Sequence, residues 1–111
     1  MQLFLGDCLE VMNNIADGSV DLILCDLPYG TTDRKGVEEK GNNRLLKWDT
    51  VIPLDLLWEQ YRRILKPLGT VALTADQPFT SMLILSTLDW FKYEWIWKKQ
   101  KTTGFLLANY R

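Results

Sequence analysis

The 111-residue sequence contains no histidine and only two cysteines. The absence of histidine excludes Ser-His-Asp and Cys-His nucleophiles, the commonest general base, and every zinc site that needs imidazole. Cys8 and Cys25 form no Cys-x-x-Cys pair, so the sequence predicts neither a disulfide framework nor a metal centre and favours a reducing, cytoplasmic setting. Any catalysis by this chain must therefore use carboxylates, aromatic rings, lysines or the backbone.

Long hydrophobic runs and glycine-rich phosphate loops are also missing. The apolar stretches at residues 22–25 and 82–85 are far shorter than the roughly 20 residues of a membrane-spanning helix, and no basic region precedes an apolar one at the start. The seven glycines never form a Gly-x-Gly pair, which excludes a dinucleotide-type fingerprint. We therefore expect a soluble protein without a membrane partner.

Charge is distributed unevenly over an otherwise ordinary composition. Hydrophobic residues make up 47% of the chain and charged residues 24%, which suits one globular domain, and the net charge is −1. All charged residues up to Gly30 are acidic, whereas most of those after Trp90 are basic and are interleaved with aromatic residues. This basic aromatic end, residues 90–111, suits contact with phosphates and bases. A solvated strand end with core aromatics explains the same pattern, and on this feature alone it is the commoner outcome.

Strand-like and helix-like segments alternate along the chain, which is typical of an α/β fold. Asp7 is placed as the N-cap of the first helix, with Glu10 three residues later as in a capping box. Pro67 is expected to stop the second helix at Lys66. The short, nearly all-apolar residues 20–25 predict a buried parallel strand. The predicted order is a strand at 3–5, a helix at 6–16, a strand at 20–25, a helix at 54–65, a strand at 70–75, a helix at 76–88 and a strand at 92–98.

A long polar stretch, residues 27–53, separates the second predicted strand from the second helix. It contains three glycines and shows no sustained periodicity. Loops of this length within compact domains are uncommon and are usually functional or mobile. We therefore expect this stretch to act as a lid.

The most specific motif is Asp26-Leu27-Pro28-Tyr29-Gly30, directly after the predicted strand 20–25. Ligands of open α/β sheets gather outside the carboxyl ends of the strands, so the motif is placed at a predicted crevice. A simple turn, with the aspartate as a cap and the tyrosine packed on the core, is the alternative for such a short motif.

In this context the sequence resembles the amino-methylating DNA methyltransferases, which carry an Asp-Pro-Pro-Tyr signature after such a strand. The segments that carry the resemblance are residues 6–12, 26–29, 47–49, 65–75 and 97–99. The resemblance is to the permuted β-type group, in which the catalytic half precedes the cofactor loop. It implies an incomplete Rossmann-like sheet, mostly parallel, and S-adenosylmethionine as cofactor. The aspartate at the first motif position, in place of serine, implies adenine as the target.

The resemblance assigns catalytic roles to the four residues of the motif. The exocyclic amine of adenine is a weak nucleophile because its lone pair is delocalised into the ring. The Asp26 carboxylate and the Leu27 carbonyl would each accept one amine hydrogen. These two hydrogen bonds would draw the electron density of the lone pair back onto the nitrogen. Pro28 would hold the preceding residue extended, and Tyr29 would stack on the flipped base. Leu27 departs from the family pattern, which has proline there, so a looser site is expected.

The remaining site residues are also implied by the resemblance. Asp7 and Cys8 would contact the adenosine part of the cofactor, and Asp26 and Pro28 would lie beside its methyl group, although a helix cap is an equally good role for Asp7. The residues expected at the target base and the phosphates of double-stranded DNA are Trp48, Asp49, Lys98, Lys99 and Lys101. Trp48 could equally pin the lid to the core.

The glycine-rich cofactor loop of the family is absent, so the chain is expected to be a partial methyltransferase catalytic domain, resembling the first half of an enzyme. The strand at 20–25 would then have an unpaired hydrophobic edge, which the missing half or a second copy would cover. Two other functions stay open at this point. One is a non-catalytic nucleic-acid-binding or assembly module. The other is methylation of an RNA base or a glutamine amide, which poses the same lone-pair problem.

Overall fold

A computed structural model describes residues 1–30 and 49–100. The elements in chain order are α1 (Cys8–Val11), a 3-10 turn (Met12–Asn14), β1 (Val20–Asp26), α2 (Leu54–Ile64), β2 (Leu65–Thr74) and α3 (Phe79–Ser86). β1 and β2 pair in parallel and form a two-stranded sheet. The predicted α/β class and the parallel pairing are confirmed for these elements.

The first helix begins where the sequence places its cap. The Asp7 carboxylate accepts a hydrogen bond of 2.8 Å from the Leu9 amide, which satisfies one of the free amides of the first turn. α1 itself is one turn long, and the 3-10 turn continues it to Asn14, two residues short of the predicted end at Ala16.

Helix α2 packs on the sheet with the face that its sequence periodicity predicts. Its buried side chains are Leu57, Trp58, Tyr61 and Ile64, which recur at helical spacing. The helix ends at Ile64 because Pro67 disfavours helical geometry in the residue before it. With 11 residues, α2 is the longest described helix, and no described helix is long and apolar enough to span a bilayer.

Strand β2 starts five residues earlier than predicted, directly after α2. Val20 pairs with Leu65 but Leu22 pairs with Thr70, so residues 66–69 bulge out of the ladder. A Cβ on Gly69 would lie 2.6 Å from the Leu65 side chain, so this close approach needs glycine. The regular part of the ladder begins at Thr70, where the sequence places the strand.

Arg63 joins the amino-terminal segment to α2. Its guanidinium donates to the carbonyl oxygens of Met12 at 2.7 Å and Ile15 at 2.8 Å, and it pairs with Asp17. The backbone continues this contact, because the Gly18 amide donates to the Arg63 carbonyl at 2.9 Å. These bonds hold the start of β1 beside the end of α2.

The core lies on one side of the sheet. Ile23, Cys25, Val71 and Leu73 are half-buried against it. The fully packed residues of the core are Met12, Leu27, Leu57, Trp58, Tyr61, Ile64, Phe79 and Leu83.

The other side of the sheet is open within the described part of the chain. Leu22 is 56% exposed and Leu24 is 74% exposed, so the prediction that 20–25 is a buried strand is wrong for this face. β2 covers only one edge of β1 among the described residues, in agreement with the unpaired hydrophobic edge expected from the sequence.

Two predicted strands are not formed. Residues 3–5 and 92–98 have no strand structure, and most of their side chains are exposed. Both segments have strand-like composition, but a strand is stable only when a neighbouring strand accepts and donates its backbone hydrogen bonds. Neither segment has such a neighbour in the described part of the chain.

Candidate active site

The candidate site lies at the carboxyl end of the two parallel strands. Asp26 is the last residue of β1 and Thr74 is the last residue of β2, and the two are paired across the ladder. Because the strands are parallel, their carboxyl ends meet at one edge, which is where α/β sheets bind ligands. The Asp26 side chain is exposed at this edge and does not turn into the core.

The Asp26 carboxylate is held by two hydroxyl groups through a single oxygen. The Tyr29 hydroxyl donates to Asp26 Oδ1 at 2.9 Å, and the Thr74 hydroxyl donates to the same oxygen. The Tyr29 and Thr74 oxygens are themselves 2.9 Å apart, which closes a triangle. The hydrogen bonds from Thr74 and then from Tyr29 lower the pKa of Asp26 from its usual value, so the carboxylate is ionised at neutral pH.

The Tyr29 ring packs against the core. It stacks on Phe79 with ring centroids 5.4 Å apart and an interplanar angle of 19°. Burial is the main cause that raises the pKa of Tyr29, so its hydroxyl keeps its proton and remains a donor. With Phe79 on one face of the ring, a base can stack only on the opposite face.

Leu27 and Pro28 connect the strand end to this ring. The Leu27 side chain is only 5% exposed and is part of the core, which anchors the motif directly after β1. Pro28 is half-buried. The motif therefore has features of both interpretations. It is a turn packed on the core, and it also presents a carboxylate at the end of the strand.

Asp49 braces the motif from across the long loop. Its side chain is 8% exposed, and its Oδ1 accepts hydrogen bonds from the amides of Tyr29 at 2.8 Å and Gly30 at 3.0 Å. Gly30 has a positive φ of 67°, and a Cβ there would lie 2.7 Å from Val51. The sequence predicts Asp49 at the target base, whereas the structure places it under the turn. Of the predicted lid, residues 27–53, the structure describes 27–30 and 49–53, in which Leu27 and Asp49 are buried, and residues 31–48 lie outside the described residues.

The predicted cofactor residues Asp7 and Cys8 lie at the start of α1, Asp7 as its N-cap and Cys8 as its first residue. Asp7 uses one carboxylate oxygen for the helix cap. Cys8 is exposed, and its pKa is raised by partial burial, by the Asp7 charge and by Cys25.

The predicted phosphate-contact lysines are accessible where the structure describes them. Lys98 and Lys99 are exposed, and the Lys99 Nζ atom lies 5.7 Å from the centre of the Trp97 ring. The charge of Lys99 also lowers the pKa of Asp26, as the smallest of the causes. Trp48 and Lys101 lie outside the described residues.

Sequence reasoning misses two residues of the site, Thr74 and Phe79. A partial signal for Thr74 exists, since the carboxyl end of a neighbouring parallel strand is expected beside Asp26, but the predicted strand ends at Ala75 and only the register of the ladder selects Thr74. Phe79 carries no such signal, because an apolar residue at the start of a helix usually indicates core packing alone.

Comparison with known proteins finds one informative similarity. The chain is similar to the type II methyltransferase M.BglII of Bacillus subtilis, with 35% identity over 74 residues. The similarity supports a methyltransferase family. The matched stretch covers 63% of this chain but 18% of that protein. No protein-family model and no solved structure matches the chain.

Proposed function

We propose that this chain is part of an S-adenosylmethionine-dependent DNA methyltransferase that acts on the N6 amine of adenine. The observation that carries the proposal is an exposed carboxylate with a lowered pKa at the end of β1, inside an Asp-x-Pro-Tyr motif. The similarity to a type II methyltransferase supports the same reaction class.

The chemistry follows from the acceptors that the motif offers. An ionised Asp26 accepts one hydrogen of the amine, and the Leu27 carbonyl accepts the other. Together they localise the nitrogen lone pair so that it can attack a methyl group. The nitrogen would form a bond to the methyl carbon as the carbon–sulfur bond of the donor breaks with its electrons going to sulfur, and the proton lost by the amine would pass to solvent water at the exposed Asp26 carboxylate. No histidine is needed for this reaction, in agreement with the composition.

S-adenosylmethionine supplies an electrophilic methyl group on a positively charged sulfur. The residues at the strand ends suit such a ligand, because Asp26 is anionic and Asp7 uses only one of its carboxylate oxygens for the helix cap. Asp7 and Cys8 would contact the adenosine part, and Asp26 and Pro28 would lie beside the methyl group.

The target base would stack on Tyr29. Its ring is held on one face by Phe79, and base stacking on an aromatic side chain contributes about 1–3 kcal/mol. Extrusion of the base from a duplex costs a few kcal/mol, which this contact offsets in part. Lys98 and Lys99 are proposed phosphate contacts, and so is Lys101.

The proposal includes completion of the sheet. In a Rossmann-like enzyme the open edge of β1 and its uncovered face would bind the remaining chain or a second copy. Parallel sheets are normally covered on both faces, which supports a further layer here.

The test is methyl transfer from labelled S-adenosylmethionine to duplex DNA. Asp26→Ala should lower the rate by about 100- to 1,000-fold, by analogy with the loss of one hydrogen-bond partner that stabilises a transition state. The matched control is Asp21→Ala, at the other end of the same strand. Its exposed ion pair with Lys66 is expected to contribute little.

Two results would contradict the proposal. Full turnover by Asp26→Ala would remove the catalytic role of the carboxylate. DNA binding by the wild-type chain without saturable binding of S-adenosylmethionine would favour a non-catalytic nucleic-acid-binding module.

A further inference from the structure

The triangle of Asp26, Tyr29 and Thr74 distinguishes the two oxygens of the candidate catalytic carboxylate. Both hydroxyl groups reach Oδ1. No described residue donates a hydrogen bond to Oδ2. A carboxylate on an exposed side chain would otherwise rotate and present either oxygen.

Two of the three side chains come from strands that the ladder holds in register. Thr74 lies on β2 and is the paired residue of Asp26 on β1. Tyr29 approaches from the turn, where Phe79 fixes its ring and Asp49 fixes its amide. The hydroxyl donors are therefore placed by the strand pairing and by the core, which makes the orientation of the carboxylate a property of the fold.

The number of hydroxyl protons is sufficient for these hydrogen bonds. An ionised carboxylate only accepts hydrogen bonds, and each hydroxyl carries one proton. Thr74 donates its proton to Asp26, and its oxygen can still accept the proton of Tyr29. Tyr29 can give its proton to either partner at the same 2.9 Å distance.

We propose that Thr74 and Tyr29 are positioning residues, which occupy Oδ1 of Asp26 and leave Oδ2 as the oxygen that receives the amino group of the substrate. This inference depends on the proposed function for its second half. The first half, the orientation of the carboxylate, can be tested without turnover.

The first measurement is the titration of the Asp26 carboxyl carbon by NMR. Thr74→Val keeps the shape of the side chain and removes the hydroxyl. It should raise the pKa of Asp26 toward its usual value, because Thr74 is the first cause of the lowered pKa. Tyr29→Phe keeps the ring on Phe79 and should raise the pKa by less.

Two further variants distinguish the loss of the hydroxyl that orients Asp26 from a general effect of a valine substitution on β2. Thr74→Ser restores the hydroxyl and should restore the titration of Asp26. Thr70→Val makes the same change on the same face of β2, opposite Leu22, and should leave that titration unchanged.

The second measurement is steady-state methyl transfer. Thr74→Val should lower kcat by about 10- to 100-fold, since a misplaced reacting group costs rates of this order. KM for DNA should change less than about twofold. Thr74→Ser should recover most of the rate, and Thr70→Val should match the wild type.

The outcomes distinguish this inference from the proposed function. An Asp26 titration that is the same in Thr74→Val and wild type would overturn the inference, whether or not the chain transfers methyl groups. A wild-type kcat in Thr74→Val, in a chain that Asp26→Ala inactivates, would overturn it and leave the proposed function standing. If the wild-type chain is inactive both alone and when the rest of the enzyme completes its sheet, the proposed function fails, and a shift in Thr74→Val that Thr74→Ser reverses still supports the orientation of the carboxylate.

Discussion

Asp49 determines the shape of the candidate site although it is about 20 residues from the motif in sequence. One carboxylate oxygen accepts both amides of the turn, from Tyr29 and Gly30. Because the side chain is 8% exposed, water cannot easily replace it. Hydrogen bonds to a charged group contribute more than those between neutral groups, so we expect this brace to be important for stability.

Asp49→Ala should lower the free energy of unfolding by about 1–3 kcal/mol, because it leaves two amides without their acceptor. Asp49→Asn keeps a side-chain oxygen and should cost less. Urea denaturation followed by circular dichroism measures both, with the exposed Asp21→Ala as control. Equal stability of Asp49→Ala and the control would show that the brace contributes little.

The sequence predicts the chemical groups of the motif but only part of their surroundings. Asp26 and Tyr29 are found because they are close together in a recognisable pattern. Thr74 is 48 residues away from Asp26, and their contact depends on the pairing of β1 with β2. Asp49 is found as a site residue, but its bracing role depends on burial, which the sequence of a polar loop does not show.

At the scale of elements, the segment 91–100 has most of the exposed aromatic and basic side chains of the described chain. Tyr93 is 68% exposed, Trp95 85% and Trp97 80%, and Lys98 and Lys99 follow them. Exposed aromatic rings beside lysines suit the proposed contact with nucleic acid, whereas a further layer over this segment would bury the same rings.

Replacing Lys98 and Lys99 together with alanine should weaken DNA binding and reduce the slope of log K against log salt by about 2, because each lysine is expected to neutralise roughly one phosphate. Fluorescence anisotropy with a labelled duplex at several salt concentrations gives this slope. Lys66→Ala is the control, because Lys66 pairs with Asp21 at the other end of the strands. An unchanged slope in the double variant would remove these lysines from the interface.

Elements defined by local signals are predicted well, and elements that need distant partners are not. The periodicity of α2 and the stop at Pro67 are both local, and α2 ends two residues before the predicted stop at Lys66. The carboxyl-terminal part of β2 is also correct. Residues 92–98 alternate like a strand, but the alternation cannot supply the neighbour that a strand requires.

At the scale of the whole molecule, the sheet has a core on one side and exposed leucines on the other. The edge of β1 presents unpaired backbone groups beside Leu22 and Leu24 in the described part of the chain. Open apolar edges are templates for pairing with another chain. We therefore expect the isolated chain to associate with itself.

Leu24→Lys places a charge on the uncovered face and should shift the population toward monomer. Sedimentation velocity over a range of protein concentrations measures this shift. The control is Leu85→Lys, since Leu85 is a comparably exposed leucine on α3, with 73% exposure. A wild-type chain that stays monomeric, or identical behaviour of both variants, would contradict this expectation.

The Asp49 carboxylate links the two residues that flank the 31–48 stretch. The geometry of the site therefore need not depend on the length of that stretch. Gly30 and Asp49 are fixed to each other by a hydrogen bond of 3.0 Å. This bond positions the turn directly through Asp49. The positions of Tyr29 and Gly30 should therefore depend on the Asp49 carboxylate itself, and a change in the number of residues between Gly30 and Asp49 should leave the turn in place.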